Sequence, residues 1–336
     1  MGYRISPEKL IEIANIYDHY KSKEIEASWP KIMEEAGLSY SGSNLTEIRK
    51  QLSYLYGRPF PGLKSKHASR KLSSLPTNLD LIEVGDFDLI FFTDPHNWPH
   101  HLVDPSDSFY ILLEYIRFAV KRSKKTGRKL LIICGGDAFD GASISRFPLN
   151  YWEDKPSVLE ELEACKWYMG EIERIGAGAE FHWIIGNHDL RFDRTLANNA
   201  HEFEGLEGFS IQEHFPNWEF HFSLLINDKY YFIHNIHSGK HAGYNNVRDT
   251  ATHTFTGHTH RLLTRRVDFL RDYAVAIEGG TLAPRSSPAF QYTKGQKGDW
   301  QEGFVIASVE EERFGYQLVH VDNGCAWIEG EWWEAA

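Results

Sequence analysis

Cysteine is scarce in this chain, with three among 336 residues, at positions 134, 165 and 325. They are widely spaced, odd in number and outside any Cys-x-x-Cys pairing. That excludes a disulfide framework and a thiolate zinc site, and it suits reduced thiols in a cytosol. Long apolar runs are missing as well: none approaches the roughly 20 residues needed to cross a bilayer, so no membrane association is expected. The opening MGYRISPEKLIEIANIY lacks the apolar core and small-residue cleavage site of a secretory signal, and a cytoplasmic location is the expectation. Basic charge is in deficit, with 36 Lys and Arg against 47 Asp and Glu and a net charge of -11. A surface coated throughout for nucleic acid is thereby excluded. What is present, 42% hydrophobic, 25% charged and 14% aromatic residues, is the composition of a soluble globular chain. Its length exceeds one compact domain, which leads us to expect one large domain and an appendage.

The charge is unevenly spread. Residues 1–75 hold 12 Lys and Arg against 8 Asp and Glu, whereas the remainder holds 24 against 39. Arg49, Lys50, Arg58, Lys64, Lys66, Arg70 and Lys71 follow one another with no acidic residue between them, enough to attract a polyanion within a Debye length. Apolar positions at helical spacing, Leu10, Ile13, Ile16 and Tyr17 and then Leu45, Ile48, Leu52 and Leu55, predict an all-helical segment. The stretch from Trp29 to Leu52 has the outline of a helix-turn-helix, with Ile32 and Ala36 packing, Gly37 at the turn and Asn44–Leu52 where a recognition helix would lie. DNA or RNA binding through residues 1–75 is one expectation, and a plain helical cap or oligomerisation arm is the other. The Pro-, Ser- and Lys-rich stretch 57–77 reads as a linker to a second domain over 76–336.

From residue 80 the texture changes to short β-rich runs alternating with amphipathic helices, the pattern of an α/β domain. DLIFFTD, KLLIICGGD, EFHWIIGNHD, KYYFIH and THTFTGHTH each end in a polar group just past an apolar stretch. Phe109, Leu112, Leu113, Tyr115, Ile116 and Ala119 mark one helix. Ser157 with Glu160 forms a capping box for a second, whose buried face is Leu162, Cys165, Met169 and Ile172. The tail from about residue 303 reads as further strands, with Trp327, Trp332 and Trp333 expected to pack.

Metal-capable and acid/base groups collect at the strand ends: Asp94 and His96, Asp137 and Asp140, Asn187 and His188 with Asp189, His234, then His258 and His260. If strand geometry persists through the turns, the i, i+2 pairs Asp94/His96 and His258/His260 each aim two ligands to one side. Glycines 135, 136, 186 and 257 allow sharp turns and close approach to an ion or phosphate. Oxygen and imidazole donors without thiolate favour Mn²⁺, with Fe or Zn²⁺ as the alternatives. Seven ligands are too many for one ion; two divalent ions sharing a carboxylate, roughly 3.5 to 4 Å apart, account for them.

The ordered set Asp94-Pro95-His96, Gly136-Asp137-Ala138-Phe139-Asp140, Gly186-Asn187-His188-Asp189, His234 and Gly257-His258-Thr259-His260 resembles the calcineurin-like metallophosphoesterases over about residues 86–320. The resemblance implies a four-layer αββα sandwich, preceded here by the small all-helical segment. It implies that Asp94, His96 and His260 hold one metal ion, that Asp137 bridges, and that Asn187, His234 and His258 hold the other. His188, oriented by Asp140, would stabilise or protonate the departing oxygen while a metal-bridging hydroxide attacks phosphorus in line. Gly141 replaces the arginine of the protein-phosphatase branch and GNHD replaces its GNHE, which argues against a phosphoprotein substrate. Asn235 follows His234 where the family has glycine, and His237 is a rival ligand; His234 is preferred because it directly ends the strand YYFI.

Arg191 and Arg194 follow the third motif, as bidentate donors to a substrate phosphate or as partners of Asp193. Together with the basic N-terminal arm, these features look most like phosphoesterases of phage and prophage genomes, hence a bacterial or phage-infected cell. A phosphodiesterase acting on nucleic acid or a nucleotide is the first expectation. The alternatives are a phosphomonoesterase, or a DNA-binding or assembly protein on the same scaffold without catalysis.

Overall fold

A computed structural model describes residues 6–22, 29–38, 48–49, 51–52, 55–56, 79–146, 155–270, 272–293, 298–311 and 313–335. The chain divides into two compact units, Met1–Leu72 and Ser73–Ala336.

In the first unit, helix α1 (Pro7–Ser22) and the short α2 (Trp29–Glu35) share one apolar cluster. Leu10, Ile13, Ala14 and Tyr17 on one side meet Trp29, Ile32, Met33 and Ala36, joined by Ile48 and Leu52. Tyr17 stacks on Trp29 with centroids 5.3 Å apart. Gly37, at φ 68°, turns the chain after α2, and the Leu38 N–H closes back on the Met33 carbonyl at 2.8 Å, the left-handed exit glycine permits. Of the expected recognition helix, Ile48, Arg49, Gln51 and Leu52 are helical, while residues 44–47 and 50 lie outside the described residues. So do Arg58, Lys64, Lys66, Arg70, Lys71 and the whole linker stretch 57–77.

The second unit opens with β1 (Leu79–Ile82), β2 (Phe87–Phe92), α3 (Asp107–Thr126), β3 (Lys129–Cys134), α4 (Val158–Ile175) and β4 (Glu180–Ile184). It continues through α5 (Leu190–Asn199), β5 (Glu219–His221), β6 (Ser223–Ile226), β7 (Tyr230–Ile233), α6 (Ala242–Thr250) and β8 (His253–Thr256). It ends with β9 (Leu262–Asp268), β10 (Tyr273–Gly279), β11 (Gly303–Glu310), β12 (Arg313–Asp322), β13 (Cys325–Ile328) and β14 (Glu331–Glu334). These strands form two sheets, ordered β14-β13-β12-β11-β2-β3-β4-β5 and β1-β6-β7-β8-β10-β9.

Strands β2 to β5 are parallel, and β2 is buried at every residue, as a strand covered on both faces must be. Alternation splits its side chains between two cores. Ile90 and Phe92 face helices α3 and α4, joining Leu112, Ile116, Leu162, Met169 and Trp183. Leu89 and Phe91 face the smaller sheet, where they meet Leu224, Phe232, Phe255 and Ile277. On the far side of that sheet Val247 of α6 packs on Ala274 and Ala276. The order of layers is therefore helix, sheet, sheet, helix, as expected.

Local signals explain the helix limits. Ser106 accepts from the Phe109 N–H at 3.1 Å to start α3, and Gly127 at φ 75° ends it. The capping box is present at α4, where Glu160 returns to the Ser157 N–H at 2.8 Å. The expectation for the tail tryptophans needs correction. Trp333 packs on Tyr115 and Phe118, but Trp327 and Trp332 stand in solvent, 48% and 71% exposed, touching each other across the β13–β14 hairpin. Among the described residues no helix is long and apolar enough to cross a membrane.

Candidate metal centre

Five strands, β2, β3, β4, β7 and β8, stop just short of the polar residues that follow them. Strand geometry does not persist through the Asp94/His96 and His258/His260 pairs, contrary to the i, i+2 expectation. Asp94, His96, Asp137, His258 and His260 instead all adopt left-handed backbone, with φ of 52°, 42°, 56°, 68° and 55°. Such a conformation costs a non-glycine residue of order 1–3 kcal/mol and persists where its surroundings over-determine it. Here the loops are tied to one another: the Asp94 and His96 N–H groups donate to the carbonyls of Gly136 and Asp137 at 2.9 and 3.0 Å. The His258 N–H donates to the Asp94 carboxylate at 2.8 Å, and the Thr281 hydroxyl to the Asp94 carbonyl at 2.7 Å.

The first group of ligand atoms is fully buried. His260 Nε2 lies 3.2 Å from Asp94 Oδ1 and 3.3 Å from His96 Nε2. His96 Nδ1 faces Asp140 Oδ1 at 3.0 Å, which makes Nδ1 the protonated nitrogen and leaves Nε2 a lone pair. Burial, opposed by Asp140 and reinforced by His188, pushes the His96 imidazole down, so it stays neutral. Burial works against ionisation of Asp94, yet His260 and His234 beside it hold its carboxyl below the usual range.

The second group comes from three other strands. His234 Nδ1 donates to the Gly135 carbonyl at 2.7 Å, and its Nε2 faces Asp137 Oδ2 at 3.1 Å and Asn187 Oδ1 at 3.2 Å. Imidazole, carboxylate and amide groups converging on one point need a cation among them, either the Nε2 proton or a metal ion in its place, and the residues fit a metal ion for that reason. His258 completes the cluster with Asp137 and His234. Burial disfavours the His234 proton, but Asp137 and Asp94 outweigh it and raise the imidazole to about 10. Asp137 is itself held well below the carboxylate range: burial opposes this, and His234 and His188 prevail.

His188 sits between the two groups. Its Nδ1 meets Asp140 Oδ1 at 2.6 Å, and its Nε2 is 4.0 Å from Asp137 Oδ2. Trp98 Nε1 donates to the other Asp140 oxygen at 2.9 Å, so that carboxylate orients His96 and His188 together. Burial lowers and Asp137 and Asp140 raise the His188 imidazole, with a net upward shift. Arg191 donates to the Asp140 carbonyl at 2.8 Å and to His188 Nε2 at 3.0 Å. Arg194 does not join them; it is exposed and lines a separate cavity of about 310 Å³ with Asp193, Leu196 and Phe209. His237 lies away too, pairing with Asp249 at 2.8 Å on the surface.

One residue that the sequence placed among the strand-end groups, without giving it a role, holds this arrangement from below. Asp189 is fully buried and accepts from the N–H groups of Asp137 at 2.9 Å, Phe139 at 3.0 Å and Gly186 at 2.8 Å, and from Trp183 Nε1 at 3.0 Å. Burial and the neighbouring Asp137 push its carboxyl up to about 6. Its carboxylate within GNHD was the signal that could have found that role. Phe290 and Trp300, which pack on His260 at centroid distances of 5.2 and 4.3 Å, carried none. The glycines serve less as hinges than as clearance. A Cβ on Gly186 would stand 2.0 Å from Asp137 Oδ1, and one on Gly257 2.6 Å from Asp94 Oδ2.

Against known proteins, the sequence model of the calcineurin-like phosphoesterase family matches residues 87–303, more than half of the chain. Among curated proteins none matches the sequence. Solved structures are similar too, two of them as follows. One is a novel archaeal phosphodiesterase, at 14% identity, covering 70% of this chain and 100% of its own, with a TM-score of 0.32. The other is the Thermus thermophilus sulfate thiohydrolase SoxB in complex with glycerol, at 12% identity, 73% of this chain and 57% of its own, again with a TM-score of 0.32. The family match spans all five motifs whose side chains meet at the strand ends, and the chain belongs to the calcineurin-like phosphoesterases, hydrolases of phosphoric esters.

Proposed function

We propose that the chain is a dinuclear metal-dependent phosphodiesterase whose substrates are nucleotides or short single-stranded nucleic acid. Asp94, His96 and His260 would hold one divalent ion, Asn187, His234 and His258 the other, and Asp137 both. Mn²⁺ is the first choice for these oxygen and imidazole donors. The observation that carries the reading is the convergence of His234 Nε2, Asp137 Oδ2 and Asn187 Oδ1 on one point, where a divalent ion would replace the His234 proton. When bound, the ions supply Lewis acidity and an acidified water.

The chain's own groups then divide the remaining work. Asp140 fixes the His188 ring through Nδ1, which directs Nε2 outward over the cluster. That nitrogen is the group to hold or deliver a proton at the departing oxygen. Arg191 touches His188 Nε2 in the resting geometry, and on substrate binding it would exchange that contact for a phosphoryl oxygen. One guanidinium at this point suits the single charge of a diester better than the double charge of a monoester. The basic residues of segment 1–75 supply attraction for a polyanion, while the acidic remainder of the chain disfavours a long duplex.

The test is hydrolysis by protein stripped of metal and reloaded with Mn²⁺, using a generic phosphodiester, the matching monoester, and single- and double-stranded DNA. Metal-dependent cleavage that favours the diester and the single strand is expected. A preference for the monoester would make the protein a phosphatase. Salt-dependent DNA binding without any cleavage would leave only a scaffold. Removal of residues 1–75 should spare the small diester and weaken DNA binding.

A further inference from the structure

A second cluster of imidazole and carboxylate groups lies apart from the candidate metal centre and shares no residue with it. His182 belongs to β4, about 13 Å along the chain before Gly186 at the strand spacing of 3.3 Å per residue. In the parallel pairing of β4 with β5, His182 stands beside Glu219, and His221 follows two residues on, so the three side chains share the face turned toward the smaller sheet. At this point the chain also changes sheets, since β5 ends at His221 and β6 begins at Ser223. Asp80 of β1, in the smaller sheet, reaches across to His221.

We propose that His182, Glu219 and His221 form a three-ligand zinc site whose fourth position is open to water, with Asp80 as the positioning residue that sets the His221 tautomer. The inference does not depend on the function proposed above.

The geometry supplies the argument. His182 Nδ1 is 3.1 Å from His221 Nε2 and 3.7 Å from Glu219 Oε2. A tetrahedral zinc with bonds of about 2.0–2.1 Å requires neighbouring ligand atoms about 3.3 Å apart, which these distances bracket. Asp80 Oδ2 accepts from His221 Nδ1 at 2.8 Å, so His221 Nε2 carries the lone pair and aims it into the cluster. That carboxylate–imidazole arrangement is how metal-ligating histidines are oriented. Without an ion, His182 Nδ1–H donates to the His221 Nε2 lone pair; zinc would take the place of this proton, which would move to His182 Nε2, a nitrogen with no partner among the described residues. Both imidazoles are buried, whereas Glu219 is exposed and Asp80 partly so, which gives an ion a polar entrance at the rim of an otherwise apolar layer. An ion there would tie β4 and β5 of the larger sheet, through Asp80, to β1 of the smaller one.

The test uses full-length protein crystallised with Zn²⁺ and diffraction data collected at the zinc edge, for wild type, Glu219→Gln and Asp80→Asn. The wild type should show an anomalous peak within bonding distance of His182 Nδ1, His221 Nε2 and Glu219. Zinc titration in solution should show that site weakened at least tenfold by Glu219→Gln, and about 10- to 100-fold by Asp80→Asn. Both residues are partly exposed, so these variants should fold, and their hydrolysis of a small diester should be unchanged. No peak among the three side chains, or equal zinc affinity in wild type and Glu219→Gln, would overturn the assignment and leave a hydrogen-bonded histidine pair. Peaks at this site and at the strand-end cluster are separate positions on one map, so either can fail without the other.

Discussion

The strand-end loops and the strands beneath them obey opposite rules. In the loops, Asp94, His96, Asp137, His258 and His260 are polar and left-handed, and the Asp94 and Asp137 carboxyls are held low against burial by the imidazoles beside them. In the strands, residues such as Leu89, Phe91, Ile133 and Phe255 are apolar, extended and buried. The His182, Glu219 and His221 cluster sharpens the contrast, because it brings donor atoms to similar distances from ordinary strand positions in pairing register. Convergence of ligands therefore does not require strained backbone. What the left-handed loops add is position: they lift the donors past the strand ends, where His188 and Arg191 stand half-buried within reach of a substrate.

If that division is right, substitutions in the loops should alter chemistry more than folding, and those in the supporting layer the reverse. Asp137→Asn should have the largest effect on activity, a loss of at least about 10²- to 10³-fold on every ester, since it would remove the charge that both ions share in the proposed function. Steady-state hydrolysis beside a melting curve checks this; full activity in a folded variant would break the comparison. Asp189→Asn should act mainly on folding. It exchanges one accepting oxygen for an amide that faces donors, so we expect a loss of about 2–3 kcal/mol, measured by denaturant unfolding.

Gly257→Ala lies at the boundary and should do both. Its methyl would stand 2.0 Å from Thr93 Oγ1. Overpacking of this kind costs about 1–3 kcal/mol, and metal affinity should fall with it as Asp94 is displaced. Isothermal titration with Mn²⁺ against wild type measures that fall.

Glu161 gives the smallest expected effect, and one with a defined sign. Buried on α4, it accepts from the Ala142 N–H at 2.9 Å, and burial, with Asp140 nearby, raises its carboxyl to about 8. A raised folded-state value means stability that is complete below the unfolded value of about 4.3 and is lost as pH rises through about 8. Glu161→Gln should therefore gain on wild type in melting temperature between pH 6 and pH 9. A constant difference across that range would show that the carboxyl is not protonated in the fold.

Much of this was legible in the sequence, for physical reasons that differ by region. The continuous apolar runs of β2 and β3 and the capping box at Ser157 fix elements by local chemistry, so their positions could be read directly. The ligand residues were legible because few sequences place Asp, His and Asn just past five successive strands. The backbone that gathers them was not, since left-handed Asp and His depend on hydrogen bonds from loops far away in sequence, such as His258 N–H to Asp94. The supporting role of Asp189 stayed hidden for the same reason, its four donors being supplied by the fold. Trp327 and Trp332 misled because composition cannot tell which face of an edge hairpin is covered.

The most direct measurement of the central claim is metal content and position in one preparation: elemental analysis of Mn²⁺-loaded protein, with anomalous diffraction from its crystals. The account predicts two manganese peaks flanking the Asp137 carboxylate, one beside Asp94, His96 and His260 and the other beside Asn187, His234 and His258. A single peak, or two that do not share Asp137, would contradict it.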